Sequence, residues 1–273
     1  MENMRTPHVA GTFYPADPEK LKNDVRALLD VSKPEKEFQN IFGLVSPHAG
    51  YVYSGKTAAH VFNLVKGIKY KRVVIISPSH SEYFPGVSVF KGYAYETPLG
   101  ILQVDNEFAD KLVDNSRIIF RGIEGHRKEH ALEVQLPFLQ LVLDNFKIVP
   151  VVMGDQGKMY VDELSAKLAE AADDDTLIVA SSDMSHFYTK SEADKLDSII
   201  EKRINDFDYN ALQEDLDTHN TEACGGGPIV AMMKAAALKN KNHSMVVHRS
   251  DSGDVTGDNR EVVGYLSAVV YGD

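Results

Sequence analysis

The sequence predicts an α/β fold: a mainly parallel central sheet with helices on both faces and a β excursion. Two observations carry this reading. Short apolar runs stop abruptly at Ser, Pro or Gly, as buried parallel strands do where they pass into loops. Residues 41–45 (IFGLV) end at Ser46-Pro47, and residues 72–76 (RVVII) end at Ser77-Pro78. Between such runs lie segments with apolar residues at helical spacing, an alternation that stacks helices on both faces of a sheet. The alternation runs the whole length without a linker or a sustained repeat, so residues 1–273 read as one domain.

Residues 1–17 form a turn-rich lead-in with Pro7, Gly11 and Pro15. A helix over 18–29 follows, with Leu21, Val25, Leu28 and Leu29 on one face and Asp17 as N-cap. Residues 31–39 are a charged linker before the first buried strand. Ser54 caps a helix through Val65, which Gly67 ends, and the second strand follows. Residues 87–90, 93–97 and 100–104 alternate in short pieces between Gly and Pro, which gives the β excursion. Helices are expected over 106–113 and 130–143, a strand over 147–153, a helix over 161–172 and a strand over 176–180. Residues 193–207 and 228–238 read as helices. Strands over 243–248 and 261–271 close the chain, separated by a loop rich in Gly and Asp.

Composition narrows the function. The chain is 43% apolar and 25% charged, as in an ordinary globular protein, and is long enough for a substantial core. Its net charge of −11, with no basic stripe, argues against nucleic acid and anionic membrane surfaces as partners. No apolar run approaches the roughly 20 residues of a membrane helix. The N-terminus shows no apolar signal segment, and the single cysteine, Cys224, suits a reducing compartment. A cytoplasmic protein is the expectation.

Chemistry concentrates at strand ends, where ligands bind in open α/β sheets. Three such loops carry a histidine: His48 after Ser46-Pro47, His80 in Ser77-Pro78-Ser79-His80, and His186 in Ser181-Ser182-Asp183-Met184-Ser185-His186. Imidazole is the commonest metal ligand and needs an acceptor to fix its tautomer; Asp183 is placed to be that acceptor, a ligand or a base. One histidine alone packs or caps a loop more often than it binds, and three in equivalent positions point to a site. Cys224 precedes Gly225-Gly226-Gly227-Pro228 and a helix. A helix N-terminus lowers a thiol's pKa, and the glycines allow a close backbone approach or an anion-binding nest. A small buried hydrophobe is the plain alternative. His130, Glu129 and Glu133 lie at a helix start, either orienting ligands and moving protons or forming a solvated first turn. Tyr51 and Tyr53 bind a ligand or pack. His8, His60, His219, His243 and His248 have no such context, and Asp251, Asp254 and Asp258 lack EF-hand spacing.

Together, L-V-S-P-H-A-G-Y-V-Y-S-G at residues 44–55, I-S-P-S-H at 76–80, E-H-A-L-E-V-Q-L-P-F-L at 129–139, S-S-D-M-S-H at 181–186 and A-C-G-G-G-P-I at 223–229 resemble the Memo family. The lead-in V-A-G-T-F-Y-P at 9–15 fits as well. The family includes animal cell-motility and redox-linked proteins, and archaeal and bacterial members often grouped with a radical-SAM protein. The resemblance implies a fold like the class III extradiol dioxygenases, whose active site holds non-haem iron. It implies a pocket of His48, His80, His186 and Cys224 as metal ligands, with His186, Asp183 and His130 as catalytic groups. Iron(II) or copper is the implied metal, with zinc as a further candidate, and a small molecule or phosphorylated peptide the implied ligand. The set departs from the oxygenase triad of two histidines and a carboxylate, since a thiolate favours softer metals such as copper(I).

Three functions follow as expectations: a metal-binding, redox or dioxygenase-like protein; a binding module for an anionic or phosphorylated peptide; and a thiol hydrolase with Cys224 as nucleophile.

Overall fold

The structure is a computed structural model that describes residues 4–34 and 36–273. Its elements begin with β1 (Met4–Arg5), α1 (Pro18–Val31), β2 (Ile41–Ser46), α2 (Tyr51–Phe62), a 3-10 turn (Asn63–Val65) and β3 (Arg72–Pro78). Then come β4 (Val87–Phe90), β5 (Ala94–Thr97), β6 (Gly100–Gln103), α3 (Asn106–Val113), β7 (Ile119–Gly122), α4 (His130–Glu133), α5 (Leu136–Val142) and β8 (Lys147–Met153). The rest is α6 (Lys158–Ala171), β9 (Thr176–Ser181), β10 (His186–Tyr188), α7 (Lys190–Asn205), α8 (Tyr209–Asp217), α9 (Gly226–Leu238), β11 (His243–Asp251), α10 (Gly253–Thr256) and β12 (Val262–Tyr271).

The large sheet runs β10-β12-β2-β9-β3-β8-β4-β7, with β11 on the outer side of β12. Its centre, β2-β9-β3-β8, is parallel throughout. The flanks are not: β12 runs antiparallel to β2, and β4 antiparallel to β8. The sheet is therefore mixed, with a parallel heart.

Alternate residues of the central strands feed two cores. Leu44, Val73, Ile75, Leu177 and Val179 face one cluster with α1, α2 and α5. Val45, Val74, Ile76, Ile178 and Ala180 face the other, with α3, α6, α7 and α9. Strands buried on both faces must be apolar at every position, which is why these runs show no alternation of polarity. No described helix is long and apolar enough to cross a membrane.

Several local expectations are corrected. The β excursion is only β5 and β6, which pair with β1 in a separate three-stranded sheet; β4 joins the large sheet. Asp17 does cap α1, accepting from Lys20 N at 2.8 Å. Ser54 does not cap α2, which begins three residues earlier behind Gly50; its hydroxyl donates to Ala49 O. The helix expected over 130–143 is broken into α4 and α5, because Pro137 in the first turn of α5 supplies no amide to carry the ladder across. Strands β1, β7 and β10 and helices α8 and α10 were not expected from the sequence.

Candidate metal centre

The site sits at the carboxyl ends of three adjacent central strands. Ser46 of β2 and Ser181 of β9 are register partners, so His48 and Asp183, each two residues on, emerge side by side. His48 N donates to Asp183 Oδ1 at 2.7 Å. His80 follows β3, on the other side of β9.

Cys224 arrives from the far end of the chain, just before α9. Its Sγ lies 3.1 Å from His48 Nε2, and Asp183 N donates to it at 3.3 Å. One donor atom each from His48, His80 and Cys224 lie within 4.8 Å of one another. His80, Glu129 and His130 form a second group with this spacing, and among the described residues His186 belongs to neither. His186 is held beside them through its backbone, with its N donating to Glu222 Oε1 at 2.9 Å. The rings of His48 and His80 are 5.0 Å apart, and His130 packs on both.

Both candidate imidazole ligands are gripped through Nδ1. His80 Nδ1 is 2.8 Å from Glu129 Oε1, and the same carboxylate accepts from His80 N at 2.7 Å. His48 Nδ1 is 2.9 Å from Ser181 Oγ. Imidazoles tied at Nδ1 leave Nε2 for a metal, the arrangement that outer hydrogen-bond partners enforce in metal sites.

Burial dominates the electrostatics. It pulls His48 well below the ordinary histidine range, and the neighbouring His80, His130 and His186 add to the effect. Burial also lowers His130 and His186. At His80 burial acts downward, but the hydrogen bond and charge of Glu129 outweigh it and raise the pKa. Burial pushes Asp183 up to about 7, against the amides of His48 and Ala49 that favour its anion. Cys224 is raised by burial and then by the charge of Asp183. The helix start therefore does not activate this thiol, contrary to the sequence expectation, because desolvation outweighs the partial charge.

Of the two roles expected for the glycines after Cys224, a close backbone approach is found, made to the chain's own β9 rather than to a ligand. A Cβ on Gly225 would lie 2.1 Å from Ser181 O, so only glycine lets this segment reach the end of β9. No open nest results: Gly225 N donates to Ser182 Oγ and Gly227 N to Gln156 Oε1. Glu133 is not on a solvated turn either. It is fully buried and accepts from Arg5, His8 N, Val9 N and Tyr14 Oη, pinning the lead-in segment behind α4. Tyr51 packs inside, donating to Val134 O at 2.6 Å, while Tyr53 is exposed. Asp251 and Asp254 pair with Lys190, and Asp258 with Arg260, so an ammonium and a guanidinium stand where a calcium loop would hold its ion.

Ser181, Gln135 and Glu222 were not singled out from sequence. The signal for Gln135 was its place between Val134 and Leu136, at the start of the apolar run Leu136-Pro137-Phe138-Leu139.

A family model described as Memo-like protein matches residues 5–269. The chain belongs to the Memo-like family. Relatives agree in length as well as sequence. The Memo-like chain is 38% identical to a MEMO1 family protein of Methanobrevibacter smithii, over 97% of this chain and 99% of the relative. It is 37% identical to one of Thermoplasma volcanium, over 97% and 98%, and 39% identical to one of Methanosarcina mazei, over 98% and 99%.

Proposed function

We propose that this Memo-like protein binds iron(II) or copper through His48, His80 and Cys224 and serves a redox reaction on a scaffold of class III extradiol dioxygenase type. The observation that carries the reading is the convergence of two Nδ1-tethered imidazoles and a thiol within 4.8 Å, on segments remote in sequence. The donor chemistry fits. Two nitrogens and a sulfur suit iron, copper(I) or zinc, and a thiolate disfavours hard cations such as magnesium. Iron or copper, when bound, supplies one-electron and oxygen chemistry.

The protein's own groups have separable tasks. Glu129 orients His80 and carries a charge behind its ring, which makes His80 the more basic of the two imidazoles. Asp183, with a pKa near 7, holds or releases a proton at neutral pH beside the thiol, as an acid/base group must. His130 and His186 are the remaining candidates for proton transfer, His186 lying in the loop after β9 and His130 at the start of α4. A binding module for an anionic or phosphorylated peptide would have to use the imidazoles of this pocket, since the amides of Gly225 and Gly227 are already bonded to Ser182 and Gln156.

The test is an anaerobic titration of the metal-free protein with Fe(II), Cu(I) and Zn(II), run beside Cys224→Ser. One-to-one binding that the variant loses supports the proposal, and substrate screening under oxygen follows. Absence of binding to all three metals overturns it.

A further inference from the structure

Ser181 lies against Nδ1 of the buried His48 ring and Gln135 lies against Ser181, and the hydrogen atoms there can be counted. Ser181 Oγ has three polar neighbours: Ala131 O at 2.7 Å, Gln135 Nε2 at 2.8 Å and His48 Nδ1 at 2.9 Å. A carbonyl only accepts, so the single hydroxyl hydrogen goes to Ala131 O.

The Gln135 amide is fixed in orientation as well. Its Nε2 also faces Pro47 O at 3.0 Å and Ala131 O at 3.3 Å, and reversing the amide would set oxygen against both carbonyls. Gln135 therefore donates to Ser181. The serine oxygen has one lone pair left, and His48 Nδ1 must supply the hydrogen that fills it. That puts the proton on Nδ1 and leaves Nε2 bare, facing Cys224 Sγ at 3.1 Å.

Gln135 is almost fully buried, and its Oε1 has no hydrogen-bond partner among the described residues. A buried unpaired acceptor costs stability that a methionine or leucine of similar volume would not. The side chain is held there for its two N–H groups. One reaches the carbonyl of Pro47, the residue before His48, and the other reaches the serine that grips the ring.

We infer that Ser181 and Gln135 are positioning residues for His48 before any metal arrives: Ser181 sets its tautomer, and Gln135, tied to Ser181 and to the Pro47 carbonyl, sets its orientation. The two imidazoles are then held differently, His80 by the carboxylate of Glu129 and His48 by a neutral hydroxyl whose own hydrogen is committed elsewhere. This rests on the metal-site reading only for its consequence; the tautomer is a property of the metal-free chain.

The experiment has two arms. In the first, long-range 15N–1H correlation spectra of the metal-free protein read the histidine tautomers, with His48 identified by the signals lost in His48→Gln. The Nδ1–H form is expected for His48, passing to a mixture in Ser181→Ala and retained in Ser181→Thr and in Gln135→Met, where the hydroxyl hydrogen is still committed to Ala131 O. An Nε2–H form in the unmodified protein, or an unchanged tautomer in Ser181→Ala, overturns the inference.

In the second arm, Zn(II) affinity is measured by competition with a chromophoric chelator, with thermal unfolding recorded for each variant. Loss of an outer partner is expected to weaken binding by roughly 10- to 100-fold in the folded variants. Equal affinity in all of them overturns the positioning role. Should Ser181→Ala fail to fold, Gln135→Met against Ser181→Thr makes the same comparison. If the unmodified protein binds no zinc, iron or copper, the metal-site reading fails while the tautomer result stands by itself.

Discussion

Cys224 Sγ stands 3.1 Å from His48 Nε2 across 176 residues of sequence, and its half-buried thiol has a pKa raised by desolvation and by the charge of Asp183. The raised pKa means that less thiolate is present at neutral pH than in an ordinary cysteine. Alkylation of native Cys224 by iodoacetamide at pH 7.5 is expected to be at least about tenfold slower than alkylation of the urea-unfolded chain. Its rate should climb with pH beyond pH 9. Fast stoichiometric labelling of the native protein at neutral pH would instead favour a nucleophilic cysteine.

Arg5 and Glu133 form a buried ion pair, 7% and 0% exposed, that ties the lead-in segment to α4. Removing the cation leaves a carboxylate in the interior with only neutral donors. Arg5→Met is expected to cost about 3–5 kcal/mol in urea unfolding. Adding Glu133→Gln to that variant should recover part of the loss. A double variant less stable than Arg5→Met alone would show that the pair is not the source of the effect.

His126 is buried against Ser88 O and Tyr95 Oη, and burial holds its pKa down to about 3. Between that value and the unfolded value of about 6.5, only the unfolded chain takes up the proton, so stability falls as pH falls. Asp183, raised to about 7, contributes with the opposite sign over much of this window, and so the comparison with a variant is the informative quantity. The stability difference between the native chain and His126→Gln should shrink by about 1.4 kcal/mol per pH unit from pH 6 to pH 4. A constant difference would mean that His126 does not titrate on unfolding.

Phe187 has a positive φ of 65° and a side chain 71% exposed, so its left-handed backbone is not repaid by packing. Phe187→Gly is expected to stabilise the fold by about 0.5–1 kcal/mol, a rise of a few degrees in Tm. A fall in Tm would show that the ring packs in solution more than its exposure suggests.

Gly225 lies where an added Cβ would meet Ser181 O at 2.1 Å. Gly225→Ala should cost about 3 kcal/mol. It should also weaken metal binding more than Leu238→Ala at the exposed end of α9, because the displaced segment carries Cys224. Unchanged binding would mean that the close approach is not what aligns the thiol.

Much of this is legible in the sequence. The buried strands β2, β3, β8 and β9 show as apolar runs ended by Ser, Pro or Gly, since a strand covered on both faces has no polar position to spare. The same runs brought His48, His80 and His186 to strand ends. The mixed flanks of the sheet were less visible, because an antiparallel neighbour such as β12 or β4 leaves no mark on the apolar pattern of its own residues. Glu133 was ambiguous for a related reason: a glutamate in a first turn reads as solvated unless one knows that Arg5 folds back onto it from 128 residues away.

The sequence by itself determined the family, the parallel heart of the sheet and the set of residues from which a site can be built, because periodicity and motif spacing are local properties of a chain. Only the tertiary structure decided which of them meet. It set Cys224 against His48, left His186 outside the tight group, turned the glycine amides inward and raised the thiol's pKa. Each of those outcomes depends on burial and on contacts between remote segments, and neither is written in any window of neighbouring residues.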